Sequence, residues 1–179
     1  MRPSADWPKN SSGKFPPIEI DPTVTLTRPM TIRAYEYWQS ARVARAMPAR
    51  KDISPQAMRA FVSHVALVEL RAGSGGKLDY VMRLAGARIE DVFGSITGRA
   101  LQEFMPAQIE SRWRWTMDKA VAAAAPLRVS SRVAFGDKTW LQAEVLLAPL
   151  GNAGTVSMLF GAIEIWPAAQ MGASERLPA

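Results

Sequence analysis

The chain has 179 residues, of which 48% are apolar and 21% are charged, and its formal net charge is +6. This composition is typical of a soluble globular protein with one sizeable core. No apolar run approaches the ~20 residues that a membrane-spanning helix requires. The absence of cysteine excludes disulfides, a thiol nucleophile and a thiolate metal site, and we expect a cytoplasmic protein.

The basic residues are spread along the whole chain, from Arg2 to Arg176, without a dense run. A nucleic-acid-binding surface more often has clustered cations with interleaved aromatic residues. The local exception is the run from Arg112 to Trp115, whose four side chains would point in different directions on a helix. The charge pattern therefore indicates a solvated basic surface and does not favour a nucleic-acid partner.

The first 61 residues divide into a tail and a helical lead. Residues 1–28 are rich in proline and poor in apolar side chains, which predicts a mobile or loosely docked tail. Thr31 to Ala46 has aromatic residues and arginines at helical spacing, and Ser54 to Phe61 opens with a serine cap and a proline. Both segments predict helices, so residues 29–61 are predicted to form a helical lead.

Residues 62–166 combine strands and short helices in one predicted domain. The first two predicted strands are His64–Arg71 and Leu78–Ala85, joined by a glycine-rich hairpin loop. Alternating polarity and the positions of glycine and proline predict the elements that follow. These are short helices over Ala87–Phe93 and Leu101–Met105, a long helix over Ala107–Ala124, and strands over Leu127–Phe135, Thr139–Ala148 and Thr155–Trp166. Residues 136–138 are predicted to form a hairpin turn, and residues 167–179 a frayed tail.

This order of elements predicts an α+β fold. Two strands, a helical crossover and three further strands make a five-stranded antiparallel sheet with helices on one face. The last strand has apolar residues on both of its faces, so both faces of the sheet need cover. We expect the N-terminal lead helix to cover the second face, in the same chain or in a homodimer.

The segment from Tyr80 to Pro106 carries an unusual series of short helices and glycine turns. A first turn at Phe93-Gly94-Ser95 is followed by a second at Ile96-Thr97-Gly98-Arg99 and by a short apolar helix that contains Leu101 and Phe104. Glycine permits positive φ, which lets short helices wrap closely over a sheet. In this order of motifs the sequence resembles the PAS family.

Two further phrases make the resemblance more specific. Tyr37-Trp38 and the phrase from Met47 to Pro55 precede the phrase from Tyr80 to Arg88. In this order they resemble small bacterial proteins that consist of one PAS domain behind an N-terminal helical lead. The resemblance covers roughly residues 35 to 166.

The resemblance implies a sensory or protein-interaction module and not an enzyme. We expect a homodimeric regulator without its own output domain, which signals through a protein partner and is open to gating by a ligand. The alternative is a receptor for a small molecule, such as a flavin, a nucleotide or an apolar metabolite, whose occupancy is itself the signal. The residues themselves contain no credible catalytic constellation, because His64 is the only histidine.

The single histidine and the lack of cysteine also restrict the cofactor. His64 lies at the start of a predicted strand, where we expect a structural hydrogen bond, and a lone histidine does not make a zinc site. Ala107–Ala124 contains no histidine, which excludes axial haem ligation from that helix. The flavin photoadduct of some PAS domains requires a cysteine, whereas non-covalent flavin binding stays open. The cofactor is therefore left unassigned.

Two sets of candidate functional residues follow. The candidates for a ligand pocket between the sheet and the short helices are Tyr80, Met82, Leu84, Arg88, Ile89, Phe93, Leu101, Phe104, Val129 and Val145. The same residues fit an ordinary filled core equally well, and Arg88 is the polar candidate for an anionic ligand. The candidates for a dimer or partner surface lie on the lead helix and are Tyr35, Trp38, Arg42 and Arg45.

Overall fold

The computed structural model describes residues 18–133 and 141–168, and these ranges contain six β-strands and three α-helices. The strands are β1 (Ile18–Asp21), β2 (Val65–Ala72), β3 (Leu78–Ala85), β4 (Leu127–Arg132), β5 (Leu141–Asn152) and β6 (Thr155–Pro167). The helices are α1 (Pro29–Arg42), α2 (Ala87–Phe93) and α3 (Ala107–Ala123). Residues 1–17 of the predicted N-terminal tail, residues 169–179 of the predicted C-terminal tail and the predicted turn at residues 136–138 lie outside the described residues.

The strands form one antiparallel sheet in the order β1-β4-β5-β6-β2-β3. The predicted α+β fold is confirmed, and the five expected strands are all present. The sixth strand, β1, pairs with β4 in a register that joins Ile18 to Ser131 and Ile20 to Val129. Ile18 and Ile20 both pack against the core, which explains why so short a segment forms a strand here.

The structure corrects the predicted boundary of the N-terminal tail. Residues 18–28 were expected to belong to the tail, but β1 is part of the sheet and the segment that follows it is tightly hydrogen-bonded. The Asp21 carboxylate accepts bonds from the backbone N–H groups of Thr23 at 2.8 Å and Thr25 at 2.9 Å. These hydrogen bonds lower the pKa of Asp21; the bond from the Thr23 hydroxyl has the largest effect, and the bond from the Thr25 backbone N–H has the next largest. This Asx-type turn redirects the chain from β1 toward α1.

Helices cover both faces of the sheet. On one face, α2, α3 and the 3-10 helix Leu101–Glu103 enclose the crossover-side core. On the other face, α1 and the chain from residue 47 to residue 61 enclose the lead-side core. The lead-side core contains Trp38, Met58, Leu67, Leu146 and Phe160. The expectation that the lead helix covers the sheet is thus met within one chain.

The predicted glycine turns take the geometry that was expected of them. Gly94 ends α2 with a φ of 77°, and Gly98 has a φ of 85°. The Thr97 hydroxyl between them donates to the Glu90 carboxylate at 3.0 Å and accepts the Ala85 N–H at 3.0 Å. These bonds fix the turns against the end of β3, where the cavity described below begins.

Three local predictions differ from the structure. α1 ends at Arg42 and not at Ala46, because Val43 takes a φ of 54° and leaves the helical conformation. Residues 54–61 form separate turns instead of a helix, and this path brings both Met58 and Phe61 into the lead-side core. β4 ends at Arg132, so Val133 is not in the strand that was predicted over Leu127–Phe135, and residues 134 and 135 lie outside the described residues.

Candidate functional site

A cavity of about 100 Å³ lies between the sheet and the crossover helices. Its floor comes from all six strands, and its walls come from α2, α3 and the turns between them. Most of the lining is aliphatic, aromatic or thioether, and it includes Val68, Met105, Ile109, Trp113, Met117, Leu147 and Ile163. Since a site that holds one water needs only ~10–15 Å³ on this scale, the cavity has room for a small ligand.

The polar part of the lining is small. Among the described residues, its charged or hydroxyl-bearing members are Arg112 of α3 and Ser131 and Arg132 of β4. Ser131 pairs with Ile18 on one side and Ala143 on the other, and both of these neighbours also line the cavity. Ser131 therefore lies at the β1–β4–β5 end of an otherwise apolar space, whereas Arg132, the next residue of β4, is exposed because successive side chains of a strand point to opposite faces.

Six of the ten sequence-predicted pocket residues line this cavity. They are Met82, Ile89, Phe93, Leu101, Phe104 and Val145. The glycine turns bring them together, because α2 and the 3-10 helix Leu101–Glu103 fold back over β3.

Tyr80 and Val129 belong to the same core but not to the cavity lining. The buried Tyr80 hydroxyl donates to Asp118 of α3 at 2.5 Å. Burial is the larger cause, and the hydrogen bond to Asp118 the next, of a Tyr80 pKa that lies far above its ordinary value. Arg114 also donates to the Leu78 carbonyl and to Glu110, so this cluster fastens α3 to β3.

The structure places Leu84 and Arg88 away from the cavity. A β-bulge interrupts the pairing of β2 with β3, so that Leu67 pairs with Leu84 while Val68 pairs with Met82. The extra residue turns Leu84 to the opposite face from Met82, where it packs on the lead-side core. Arg88 is exposed at the start of α2. The strict alternation that was assumed for β3 is therefore wrong at this point.

A buried carboxylate, Glu144 of β5, holds the start of α1. It accepts bonds from the backbone N–H of Thr27 at 3.1 Å and of Arg28 at 2.9 Å, and from the Thr31 hydroxyl at 2.6 Å. Arg128 of β4 donates its Nε–H to the same carboxylate at 2.7 Å. Burial alone raises the pKa of Glu144, but the bonds from Thr31, Arg128 and Thr27 outweigh it and hold the pKa at about 2.

Further contacts attach α1 along its length. Glu164, which pairs with Glu144 across β5 and β6, accepts the Met30 N–H at 2.8 Å. The Arg28 guanidinium lies 3.7 Å from the centre of the Trp166 ring, a cation–π contact. The free N–H groups at a helix start favour negative charge, and the two carboxylates supply it from the sheet. We call Glu144, Glu164, Arg128 and Thr31 the lead-helix anchor.

The predicted partner-surface residues occupy different environments. Trp38 is only 3% exposed, and its indole N–H donates to the Pro149 carbonyl at 2.9 Å. Tyr35 is half-buried and stacks on Trp38, with 6.2 Å between the ring centres. The Arg45 guanidinium donates a hydrogen bond to the Asp52 carboxylate at 2.6 Å, and this bond is the main reason that the pKa of Asp52 is lowered. Arg42 donates to the Arg45 carbonyl. Trp38 is thus a core residue of its own chain and lies away from the surface.

Sequence reasoning missed the lead-helix anchor. Glu144 is a single acidic residue in a long apolar run, and this placement is the signal that could have identified it. A buried charge must be paired or hydrogen-bonded, so an acidic residue in a central strand predicts a nearby cluster of donors. The donors around the start of α1 could not be named, because they lie 113–117 positions away along the chain.

His64 takes the structural role that was expected of it. It lies in a 3-10 helix just before β2, and its Nδ1 lies 3.0 Å from the Ile163 carbonyl, to which it donates. Within the described ranges there is no group of three His, Asp or Glu side chains that could hold a metal ion. No helix in those ranges is both long enough and apolar enough to cross a bilayer.

Comparison with known proteins assigns the family. The model of the family described as PAS domain matches residues 26–164, well over half of the chain. The chain belongs to the PAS domain family. The resemblance drawn from the glycine turns is therefore confirmed, and the family is one of sensory modules. The match begins just before α1 and ends in β6, so it includes the lead helix and its anchor.

No curated protein shows significant similarity to this PAS domain. Among solved structures, the chain is similar to one described as an RNA-binding Light-Oxygen-Voltage receptor, with 15% sequence identity and a TM-score of 0.47. The similarity covers 83% of this chain and 38% of that one. This chain therefore spans less than half the length of the receptor that it matches.

Proposed function

We propose that this PAS domain is a cytoplasmic regulatory module in which the lead helix conveys the state of the cavity to a signalling protein. One observation carries the proposal, namely the two-sided environment of β5. Ala143, Val145 and Leu147 line the cavity, while Glu144 between them holds the start of α1 on the opposite face. A displacement of β5 by a ligand would therefore move the groups that hold α1.

The energetics also support α1 as the element that responds. The start of a helix that is held by a buried carboxylate is sensitive to small changes in geometry, because charge-assisted hydrogen bonds are short and directional. Breaking a buried ionic cluster by removing one member typically costs about 3–5 kcal/mol. A partial loss of these bonds would free the face of α1, or the sheet face beneath it, for a protein partner.

Hydrogen exchange tests this route. Ala143→Leu fills part of the cavity without touching the anchor, and Ala87→Leu adds the same volume at an exposed position of α2. We expect faster or slower amide exchange in residues 30–42 of the first variant and unchanged exchange in the second. Identical exchange of α1 in wild type and in Ala143→Leu would overturn the proposed route.

The partner is tested by a differential capture experiment. Glu144→Gln weakens the anchor, while Glu36→Gln changes an exposed residue of α1 by the same chemistry. We expect a native protein whose capture by the Glu144→Gln variant differs from its capture by wild type and by Glu36→Gln. Equal capture by all three forms would argue against α1 as the signalling element.

A second candidate function is a small-molecule receptor whose occupancy is itself the signal. The apolar cavity favours this function for an apolar metabolite. A flavin or a nucleotide is less well suited, because the polar edge of either would be buried against few hydrogen-bonding groups. Native mass spectrometry of the purified protein tests the receptor, and a copurifying small molecule is the expected result.

A homodimer is a separate proposal. α1 covers the sheet within one chain, so a dimer would form through the outer face of α1 around Tyr35, Arg42 and Arg45. Analytical ultracentrifugation distinguishes a monomer from a dimer. We expect a particle of twice the chain mass, and a monomer at all concentrations would contradict the proposed dimer.

A further inference from the structure

Thioethers and aromatic rings make up much of the cavity wall. The methionines of the lining are Met82, Met105 and Met117, and its aromatic residues are Phe93, Phe104 and Trp113. Both kinds of side chain make specific favourable contacts with an aromatic ring, in addition to the burial of apolar area. The wall therefore offers an aromatic ligand contacts that a saturated ligand of the same size would lack.

The two arginines of the lining do not supply a site for an anion. Arg112 already has an interaction partner. Arg132 is exposed and directly follows the cavity-facing Ser131 in β4, so its side chain points to the opposite face of the sheet. A ligand with a formal charge would be buried among apolar side chains without a counter-charge, which is strongly unfavourable. The cavity therefore selects for an uncharged molecule.

The Ser131 hydroxyl gives this apolar space one hydrogen-bonding end. Ser131 lies between Ile18 and Ala143 in the sheet, and all three residues line the cavity. Val129, two residues earlier in β4, is buried in the crossover-side core, as expected if alternate residues of the strand share the inward face. A hydroxyl can both donate and accept a hydrogen bond, so it suits a ligand with one polar group and leaves further polar groups without partners.

We infer that the cavity binds a compact, uncharged aromatic molecule, the size of one ring, that carries a single hydrogen-bonding group. The ring would lie among the methionines and aromatic side chains, and its polar group would bond with the Ser131 hydroxyl. The volume of about 100 Å³ is of the same order as the roughly 150 Å³ of an apolar cavity that accommodates benzene, and flexible methionine side chains can adjust to a ligand. The inference rests on the proposed function, in which this cavity receives the signal.

Four probes separate the charge of the ligand from its aromatic character. Benzyl alcohol, benzoate and benzylamine share one ring and differ in charge, whereas cyclohexylmethanol has a saturated ring in place of that of benzyl alcohol. Titration of the full-length chain should show saturable binding of benzyl alcohol. Cyclohexylmethanol should bind about threefold more weakly or worse, and the two ions about tenfold more weakly or worse. An ion that binds as tightly as benzyl alcohol, equal affinities of the two alcohols, or no binding of benzyl alcohol would overturn the inference.

The methionine methyl groups report where a probe binds. The chain contains nine methionines. Met82, Met105 and Met117 line the cavity, whereas Met47 and Met58 belong to the lead-side core on the other face of the sheet. In NMR spectra of protein labelled at the methionine methyl carbons, the ring current of bound benzyl alcohol should shift the three cavity signals most. Shifts that are largest at Met47 and Met58, or uniform over all methionines, would contradict binding in the cavity.

A filled cavity should not bind the probe. Ala143→Leu reduces the cavity and should abolish the binding of benzyl alcohol, whereas Ala87→Leu, at an exposed position of α2, should bind like wild type. A folded Ala143→Leu variant that binds benzyl alcohol like wild type would overturn the inference. If this variant does not fold, the four probes and the methyl shifts of wild type still decide.

The proposed hydrogen bond has its own test, with a matched control in the adjacent residue. Ser131→Ala should weaken the binding of benzyl alcohol about threefold to tenfold and leave the binding of toluene unchanged. Ser130 precedes it in β4 and donates its hydroxyl to Glu19, so Ser130→Ala should bind benzyl alcohol like wild type. Equal affinities of Ser131→Ala and wild type for benzyl alcohol would contradict the hydrogen bond to the ligand.

The outcome is separable from that of the proposed function. If benzyl alcohol fails to bind while Ala143→Leu still alters exchange in α1, the ligand class is wrong and the route through β5 stands. If benzyl alcohol binds in the cavity without any change in the exchange of α1, the ligand class stands and the route is wrong.

Discussion

Glu144 of β5 and Glu164 of β6 face each other as a cross-strand pair, and both accept backbone N–H groups from the start of α1. Two like charges in direct opposition would ordinarily repel each other and weaken a sheet. Here the helix start and Arg128 compensate them, so the sheet and the helix depend on each other.

Replacement of Glu144 by glutamine should destabilise the protein. The amide retains one acceptor oxygen but presents N–H groups to the donors of Thr27, Arg28 and Arg128, so bonds are lost in a buried place. We expect a decrease of about 2–4 kcal/mol in the free energy of unfolding, measured by urea denaturation. Glu36→Gln is the control and should stay within about 0.5 kcal/mol of wild type. A Glu144→Gln variant as stable as wild type would contradict the anchor.

The same carboxylate predicts how stability depends on pH. The pKa of Glu144 is about 2 in the folded protein, below its ordinary value of 4.5. A lowered folded-state pKa contributes stability that is fully present above the unfolded-state pKa and is lost as the pH falls. Wild type should therefore lose stability between about pH 4.5 and 2, more steeply than Glu144→Gln. Parallel curves for the two proteins over this range, measured by thermal unfolding, would disprove the assignment.

Trp38 should contribute to stability both by packing and by its indole N–H. Trp38→Phe removes the bond to the Pro149 carbonyl and should cost about 1–2 kcal/mol. Trp38→Ala also leaves a cavity in the lead-side core and should cost about 3–5 kcal/mol. Trp115 is 55% exposed, so Trp115→Phe serves as the control and should change little. Equal effects at the two positions in denaturant titrations would be evidence against a core role for Trp38.

The bond between Tyr80 and Asp118 is suited to a double-mutant cycle. Tyr80→Phe removes the hydroxyl and should cost about 1 kcal/mol. Asp118→Asn weakens the same bond, so the two effects should not add. A coupling energy of about 0.5–1 kcal/mol is expected from the four unfolding free energies. Strict additivity would indicate that the hydroxyl and the carboxylate do not interact.

N-terminal truncation tests the corrected boundary of the tail. A chain that starts at Ile18 retains β1 and the donors on Thr27 and Arg28, whereas a chain that starts at Pro29 lacks them. We expect the shorter chain to lose at least as much stability as Glu144→Gln, because it leaves the Glu144 carboxylate short of donors. Circular dichroism during thermal unfolding measures the difference. Equal unfolding midpoint temperatures for the two truncated chains would show that residues 18–28 add no stability, as expected if the tail extended to residue 28.

The order of the elements could be predicted because its signals are local. A compact apolar run identifies β2, the alternation of side chains identifies β3, and the positive φ that Gly94 and Gly98 permit identifies the turns after β3. β1 was missed because its four residues follow a proline-rich stretch, and its stability comes from pairing with β4, far along the chain. Such long-range pairing leaves no mark in the adjacent sequence.

The candidate site could likewise be predicted only where its signals are local in the sequence. Six pocket residues were identified because the motifs that carry them also fold them together. Leu84 was assigned to the wrong face because a β-bulge shifts the alternation by one residue, and nothing in the polarity of β3 marks the bulge. Glu144 was missed because its role depends on the helix start, which is distant in sequence.

The separation in sequence between the start of α1 and Glu144 has a consequence for the order of folding. Thr27 and Glu144 are 117 positions apart, so α1 leaves the ribosome long before the strand that receives it. Contacts of such long range form slowly, since the intervening loop must close first. Until β5 is synthesised, the apolar side of α1 has no place to dock and is open to aggregation. We expect nascent chains that stop before β5 to depend on chaperones more than complete ones do.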